Sequence, residues 1–475
     1  MSKPRISFLS EDEIWAIHNA SLEVLENTGI RVTNEAVLDI LKKAGAGVDY
    51  VKKHVTIPRG LVEEALRRAP KTTKYAARNP KYDVVLNKQK PHFWASGGVP
   101  FIVDWETGER RYSRLEDSAR WAVLSDYLDH FHFLWPIGQA TDVPLDMRGI
   151  VGMYTCLRHT EKHVGVGASS ARAAQYQIEI AAAIVGGSEQ LRKRPIISAN
   201  VCPISPLSYE REITEATIEY AKAGLTILMW PMPLMGETSP ATLSGTMVIN
   251  NAEVLGGLTI LEFASPGVPV VYTAGVGTID FRTGSGVVSP EGTLMNLALA
   301  QLAYHYDLPT LIGSGGRTSK TLDVQAGYQK ALSLATHLLI VPDMVVGFGS
   351  LDAALTSSLE ALVIDNEIID YALRFMEGFE VNDDTLAVDV INKVGPGGIY
   401  LGEKHTLKHF RERWMSRLSD IDTFETWQKK GSKSIDEVAH EKVREILATH
   451  KPEPIPEDIQ KEISKILKRA EAELL

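Results

Sequence analysis

Along this chain, eight short apolar runs each break into a loop of small residues, and a stretch with helical spacing follows every one. The runs are HFWASGG from His92, HFLWPIGQ from His132, HVGVGASS from His163, IISANVCP from Ile196, TILMWPMP from Thr226, PVVYTAGVG from Pro269, PTLIGSGG from Pro309 and MVVGFGS from Met344. They recur at roughly 30 to 45 residues, the length of a strand, a covering helix and two loops in a βα unit. Apolar residues are consecutive in each run rather than alternating, as in strands buried on both faces. The pattern predicts an α/β fold, a (β/α)8 TIM barrel, whose active site lies at the carboxyl ends of its strands. The small and aromatic residues that close the runs would then converge on one mouth.

The intervening helices have legible ends. Ser113 with Glu116 spells a capping box. Ser239-Pro240 and Ser289-Pro290 each pair an N-cap serine with proline at the first helical position, and Gly224 closes a helix. Three regions are expected: a mostly helical extension over 1–90, the barrel over 91–380, and a helical extension over 381–475 packed on the barrel. At 475 residues and 44% hydrophobic, the chain can bury a large core. Its net charge is −10 with no sustained basic tract, so nucleic acid is not an expected partner. No apolar run is read as reaching the ~20 residues that span a bilayer, so no membrane partner is expected. Two cysteines, Cys156 and Cys202, are too few for a disulfide framework, and the start MSKPRISFLSEDEI lacks the apolar core of a secretion signal. A reduced, cytoplasmic protein is the expectation.

There is no GxSxG elbow, CxxC pair, HExxH or Walker loop. His159 and His163 stand four apart but precede the third strand, at the wrong end of a barrel, and Cys202 has no partner set, so no metal site is expected. The pairs Gly275–Gly277, Gly313–Gly315 and Gly347–Gly349 suit tight turns, or alternatively a phosphate cradle. Trp94, Trp135, Trp230 and Phe348 close runs one, two, five and eight. They either pack the rim or form an aromatic mouth for a cation. Asp280 is the catalytic candidate, balancing a bound ammonium, with a turn or cap as its plainer role. Arg317 would pair with a substrate carboxylate or with a surface acid. Asn200 and Gln325 are candidate polar anchors, and His405 would either reach the rim or serve packing.

The segments VLENTGIRV, IPRGLVEEALRRAP, NVCPISPLSYE, NNAEVLGGLTILEF, GTIDFRTGSGVVSPE, YDLPTLIGSGGRTSKTLDVQAGYQK, SSLEALVIDNEI and GSKSIDEVAHEKV occur in this order. Together they resemble, over nearly the whole chain, the trimethylamine methyltransferase superfamily of corrinoid-dependent enzymes. The resemblance implies a (β/α)8 barrel that moves a methyl group from a methylated amine to the cobalt of a separate corrinoid protein. The trimethylamine enzymes carry pyrrolysine in the loop after strand 7, where this chain has Gly316. The likeness is therefore to the branch without pyrrolysine, which implies a quaternary amine: glycine betaine first, with proline betaine and carnitine as alternatives. Gly316 joins the substrate-binding candidates as the gap that replaces a side chain. None of the 13 histidines has Asp two places before it, so no DxHxxG corrinoid signature is present. The chain is expected to bind no cofactor itself and to act on cobalamin held by a partner corrinoid protein. A homo-oligomer is left open, and a phosphate-binding metabolic barrel or a non-catalytic methylamine sensor are the remoter readings.

Overall fold

The structure, a computed structural model, describes residues 5–138, 140–314 and 316–475. All eight apolar runs form strands: β1 His92–Ala95, β2 Phe131–Leu134, β3 His163–Val166, β4 Ile197–Val201, β5 Ile227–Met229, β6 Val270–Ala274, β7 Thr310–Gly313 and β8 Met344–Phe348. They pair in parallel in chain order, and β8 closes on β1 to complete the barrel. The covering helices are α1 Leu115–Tyr127, α2 Arg148–His159, α3 Ala171–Val185, α4 Arg211–Lys222, α5 Leu243–Ala264, α6 Pro290–His305, α7 Val324–Leu338 and α8 Leu359–Glu377. Ser289 caps α6 by accepting from the Gly292 amide at 3.2 Å, with Pro290 in the first turn. Two expected caps shift. The Asp117 carboxylate, not Glu116, reaches back to the Arg114 amide at 2.8 Å. Thr242, not Ser239, caps α5, because Ser239 donates to the Leu234 carbonyl at 3.0 Å.

Alternate strand residues fill the barrel interior. Trp94, Phe133, Leu228, Val271, Leu311, Met344 and Val346 meet there with Tyr75, Val84 and Leu86. The last three come from an antiparallel hairpin, Thr73–Tyr75 with Val84–Leu86. His163, the first residue of β3, bonds the Ala76 carbonyl at 2.8 Å and the Ser198 hydroxyl at 2.9 Å, and Tyr75 meets its ring edge-on. The hairpin therefore seals the amino-terminal end of the barrel. Burial also pushes the His163 pKa down to about 4, so a neutral imidazole with both nitrogens engaged serves this seal, not a metal.

One expectation about the membrane needs correction. Helix α5 is 22 residues and, by length and composition alone, is apolar enough to cross a bilayer. It is apolar because most of it is buried in the protein, as a strongly hydrophobic helix requires. The barrel lies on one side, and the helices Glu11–Glu23, Glu35–Ala44 and Arg59–Arg68 of the N-terminal extension lie on the other. That extension also contributes a small sheet, Ile30–Val32, His54–Thr56 and Gly47–Asp49, joined in parallel by Ser208–Tyr209. At the other end of the chain, helix Ile435–Thr449 packs on α8 and α1, and Glu457–Leu474 packs on α3.

Candidate active site

A cavity of about 630 Å³ opens at the carboxyl ends of the strands, where barrel active sites lie. Its floor is aromatic. Trp94 is fully buried inside the barrel, Trp135 stacks on it at 4.2 Å and 18°, and Trp230 leans against Trp135 at 5.3 Å and 48°. Trp135 and Trp230 reach the cavity, whereas Trp94 supports them from below. Two glycines make the arrangement possible. A Cβ on Gly165 of β3 would overlap the Trp135 indole nitrogen, and one on Gly275, just past β6, would overlap that of Trp230. Both indole N–H groups are buried with no hydrogen-bond partner among the described residues, as is the Asn200 side-chain oxygen on the same wall. Buried polar atoms in native proteins are nearly always paired, so these atoms mark a place for a ligand or solvent.

Asn296 ties the mouth together. It accepts from the Val276 amide and donates to the Gly313 carbonyl, both at 3.2 Å, which clamps the ends of β6 and β7. Cys202 lines the cavity, and burial raises its thiol to about 11, so it stays protonated and is a poor metal ligand or nucleophile at neutral pH. Among the described residues, the one charged side chain lining the cavity is Arg148, in the first turn of α2, and no carboxylate lines it. Arg148 donates through Nε to the Val143 carbonyl at 3.0 Å.

The candidates read from the sequence separate clearly. Trp135, Trp230, Asn200 and Gly316 line the cavity. At Gly316, a Cβ would stand 3.1 Å from the Ala354 amide nitrogen and 3.2 Å from the Ser350 hydroxyl, closer than ordinary contact. No side chain enters there unless the turn at Ser350–Ala354 moves.

Four expected roles are corrected. Phe348 points out of the barrel, edge-on to Phe93 at 5.7 Å and beside Phe131 at 5.8 Å, with the Lys330 ammonium 4.7 Å above its ring. The cause is a register shift between Val345 and Phe348, which breaks the two-residue alternation and turns Phe348 outward. Arg317 is buried and spent within the protein. Its guanidinium donates to the Ala326 carbonyl at 3.2 Å, the Ser350 carbonyl at 3.1 Å and the Asp365 carboxylate. It braces the loop after β7 against α8 and leaves no fork for a substrate carboxylate. Asp280 sits in a tight turn and pairs with Arg282 at 2.7 Å, which together with the turn's amides holds its carboxyl down at about 2. It balances its own neighbour rather than a bound ammonium. Gln325 lies half-buried in the first turn of α7, outside the cavity lining.

The phosphate alternative meets engaged amides. The Gly347 N–H donates to Ser96 at 2.9 Å, and the Gly349 N–H donates to Asp365 at 2.7 Å. Gly315 lies outside the described residues. Among those described, Asp384, His405 and His409 are the one group of three metal-capable side chains with converging ligand atoms, and none of them lines the cavity. His405 bonds the Asp384 carbonyl at 2.9 Å.

The fold and the cavity thus define a (β/α)8-barrel protein with an aromatic pocket at the carboxyl ends of its strands, lined by no carboxylate among the described residues. The family model for trimethylamine methyltransferase (MTTB) matches residues 1–474, and the chain belongs to that family. A trimethylamine methyltransferase MttB of Desulfitobacterium hafniense (strain DSM 10664 / DCB-2) is 35% identical, covering 98% of this chain and 94% of its own. A glycine betaine methyltransferase of Desulfitobacterium hafniense (strain Y51) is 33% identical, over 96% and 95%. In fold, the chain is similar to the monomethylamine methyltransferase MtmB of Methanosarcina barkeri, with a TM-score of 0.53 at 13% identity over 92% of this chain and 88% of that one.

Proposed function

We propose that this protein transfers a methyl group from a quaternary-ammonium carboxylate, glycine betaine in first place, to the cobalt(I) of a corrinoid carried by a separate protein. One observation carries the reading. The cavity offers two indole rings and a single arginine, with no acid among the described lining residues. A cation that cannot donate hydrogen bonds is held well by aromatic faces. Among the described lining residues the only charged side chain is an arginine, whose guanidinium carries donors enough to take a ligand carboxylate beside its bonds within the protein. A zwitterion satisfies both, its trimethylammonium over Trp135 and Trp230 and its carboxylate toward Arg148. Choline has no anion for Arg148, and trimethylamine has neither the anion nor a permanent charge.

The chemistry needs little from the chain beyond placement. The cobalt(I) electron pair forms the new cobalt–carbon bond, and the carbon–nitrogen pair returns to nitrogen. Because that nitrogen begins with a full positive charge, the dimethylglycine released is neutral at nitrogen and no proton has to be supplied. Positioning and exclusion of water are then the levers, which accords with a site lacking acid, base or metal ligands among its described residues. The tight space at Gly316 accords with a reaction that uses no side chain at that position.

The test supplies purified protein and a cobalt(I) corrinoid protein with glycine betaine, proline betaine, carnitine, choline and trimethylamine, following methylcobalt formation by absorbance. Turnover of the betaines over choline and trimethylamine is the expected result. Efficient turnover of trimethylamine, or no preference for the acids, would overturn it.

A further inference from the structure

From Phe379 to Val438, all of them described residues, no side chain is buried. The part from Phe379 to Glu412 projects from the end of α8 and is tied back to that helix just afterwards. There the Trp414 indole donates to Asp370 at 2.7 Å, and Glu367 accepts from the Ser419 amide at 3.3 Å. Several of its polar groups pair within the segment itself. Lys393 pairs with Glu403 at 2.6 Å, Lys408 with Asp384 at 2.6 Å and His409 with Glu412 at 2.7 Å, while Thr406 donates to the Tyr400 carbonyl at 2.7 Å. Its apolar groups are the ones left out. Val388, Ile391, Ile399, Leu401 and Leu407 are all at least half exposed, Leu401 at 84%. The segment is inside-out: preformed by ion pairs and hydrogen bonds, with a hydrophobic exterior and no core of its own.

Ten large apolar side chains stand exposed on this arm; together they present on the order of 1,000 Å² of apolar surface, the amount a specific interface covers. A patch of that size on a soluble protein marks an interaction site. The same chain carries a second uncovered apolar surface of suitable form. Val324, Tyr328 and Leu332 recur every four residues along α7, exposed at 86%, 58% and 63%. We propose that the Phe379–Glu412 segment is an assembly arm that packs on a second copy of this chain, against the apolar stripe of that copy's α7. Two unpartnered faces on one sequence, one projecting and one flat, satisfy each other when copies exchange arms. A partner that arrives and leaves with every methyl transferred, as the function proposed above requires of the corrinoid protein, uses smaller and more polar faces.

The experiment is sedimentation of the full chain across a micromolar concentration range, with circular dichroism as the fold control. Wild type is expected at a multiple of the chain mass. Ile399→Asp with Leu401→Asp in the arm, and Tyr328→Asp with Leu332→Asp in the stripe, each place charges at positions already exposed in the single chain, so the fold should survive. Each pair is expected to weaken assembly roughly a hundredfold or more. A disulfide-linked dimer from mixing Leu401→Cys and Tyr328→Cys chains would support direct contact of arm and stripe. A monomeric wild type, or assembly that survives either double variant, overturns the proposal. So does a monomer whose arm variant has lost only its response to the corrinoid protein, because the arm would then serve the methyl acceptor. Loss of assembly with glycine betaine turnover retained would leave the functional reading standing, so the two can fail separately.

Discussion

Replacing Arg148 by glutamine removes the one charged side chain among the described residues of the cavity lining, and its effect should depend on the substrate's far end. A hydrogen bond to a charged group contributes about 1.5–3 kcal/mol, so kcat/KM for glycine betaine should fall about 10- to 150-fold. Choline carries the same trimethylammonium but a hydroxyl in place of the acid. It gains nothing from Arg148 and bears a like charge, so its already poor kcat/KM should hold or rise. The ratio of the two specificities is the measured quantity, which cancels any general loss. A general loss is expected, because Nε of Arg148 also holds the Val143 carbonyl at 3.0 Å. That bond contributes about 1 kcal/mol of stability, a drop of about 1 °C in Tm for a chain this long. Absorbance at the methylcobalt band gives the rates, and differential scanning calorimetry gives the structural cost. Equal losses on both donors, or an unchanged rate on glycine betaine, would remove Arg148 from the carboxylate role and with it the main support for a zwitterionic substrate.

Gly275→Ala forces the Trp230 indole to tilt, since the new methyl would lie 2.6 Å from ring carbon Cδ1; the KM for substrate should rise roughly 3- to 30-fold, as for Trp230→Ala, through the lost cation–π contact. An unchanged KM in both variants would take Trp230 out of the site. Arg317→Met strands the buried Asp365 carboxylate and should cost about 3–5 kcal/mol in denaturant unfolding while leaving the betaine-to-choline ratio as in wild type. A selective loss of betaine in a stable protein would reinstate Arg317 as the anchor. Burial raises the Glu253 carboxyl to about 7 despite its bonds from Ser205 at 2.9 Å and the Leu207 amide at 2.7 Å. Between an unfolded value near 4.5 and 7 the folded chain binds the extra proton, so this group's contribution to stability is present at low pH and is lost as pH rises through 7. Glu253→Gln should therefore raise Tm at pH 8 and leave it nearly unchanged at pH 5; the same shift at both would show that the acid is not the cause.

The barrel was legible because strands buried on both faces have to be continuously apolar, and each of the eight runs falls on a strand of the closed sheet. The mouth was legible only in part. Trp230 follows the inward-facing Leu228 by two residues, and Trp135 likewise follows Phe133, while Phe348 sits directly at an irregularity of backbone register that no residue type announces. The role of Arg317 is not legible in the sequence because its partner, Asp365, lies 48 positions away, and pairing across that distance is a fact of packing. The pairing of Asp280 with Arg282, two residues on, was open to view in the sequence DFRTG. Arg148 does not directly follow a strand but opens the helix Arg148–His159. The first turn of a barrel helix faces the same mouth after a longer loop, and that position was the available signal.

The indoles of Trp94 and Trp135 lie nearly parallel at 4.2 Å, with a third ring in contact. Chromophores that close share their excited states, so the group absorbs as a coupled unit and should give a split band in near-ultraviolet circular dichroism. The coupling changes steeply with small rotations of either ring. Any molecule that settles against the exposed members of the stack disturbs it, so occupancy of the pocket can be read optically from the protein itself, with no label and no turnover.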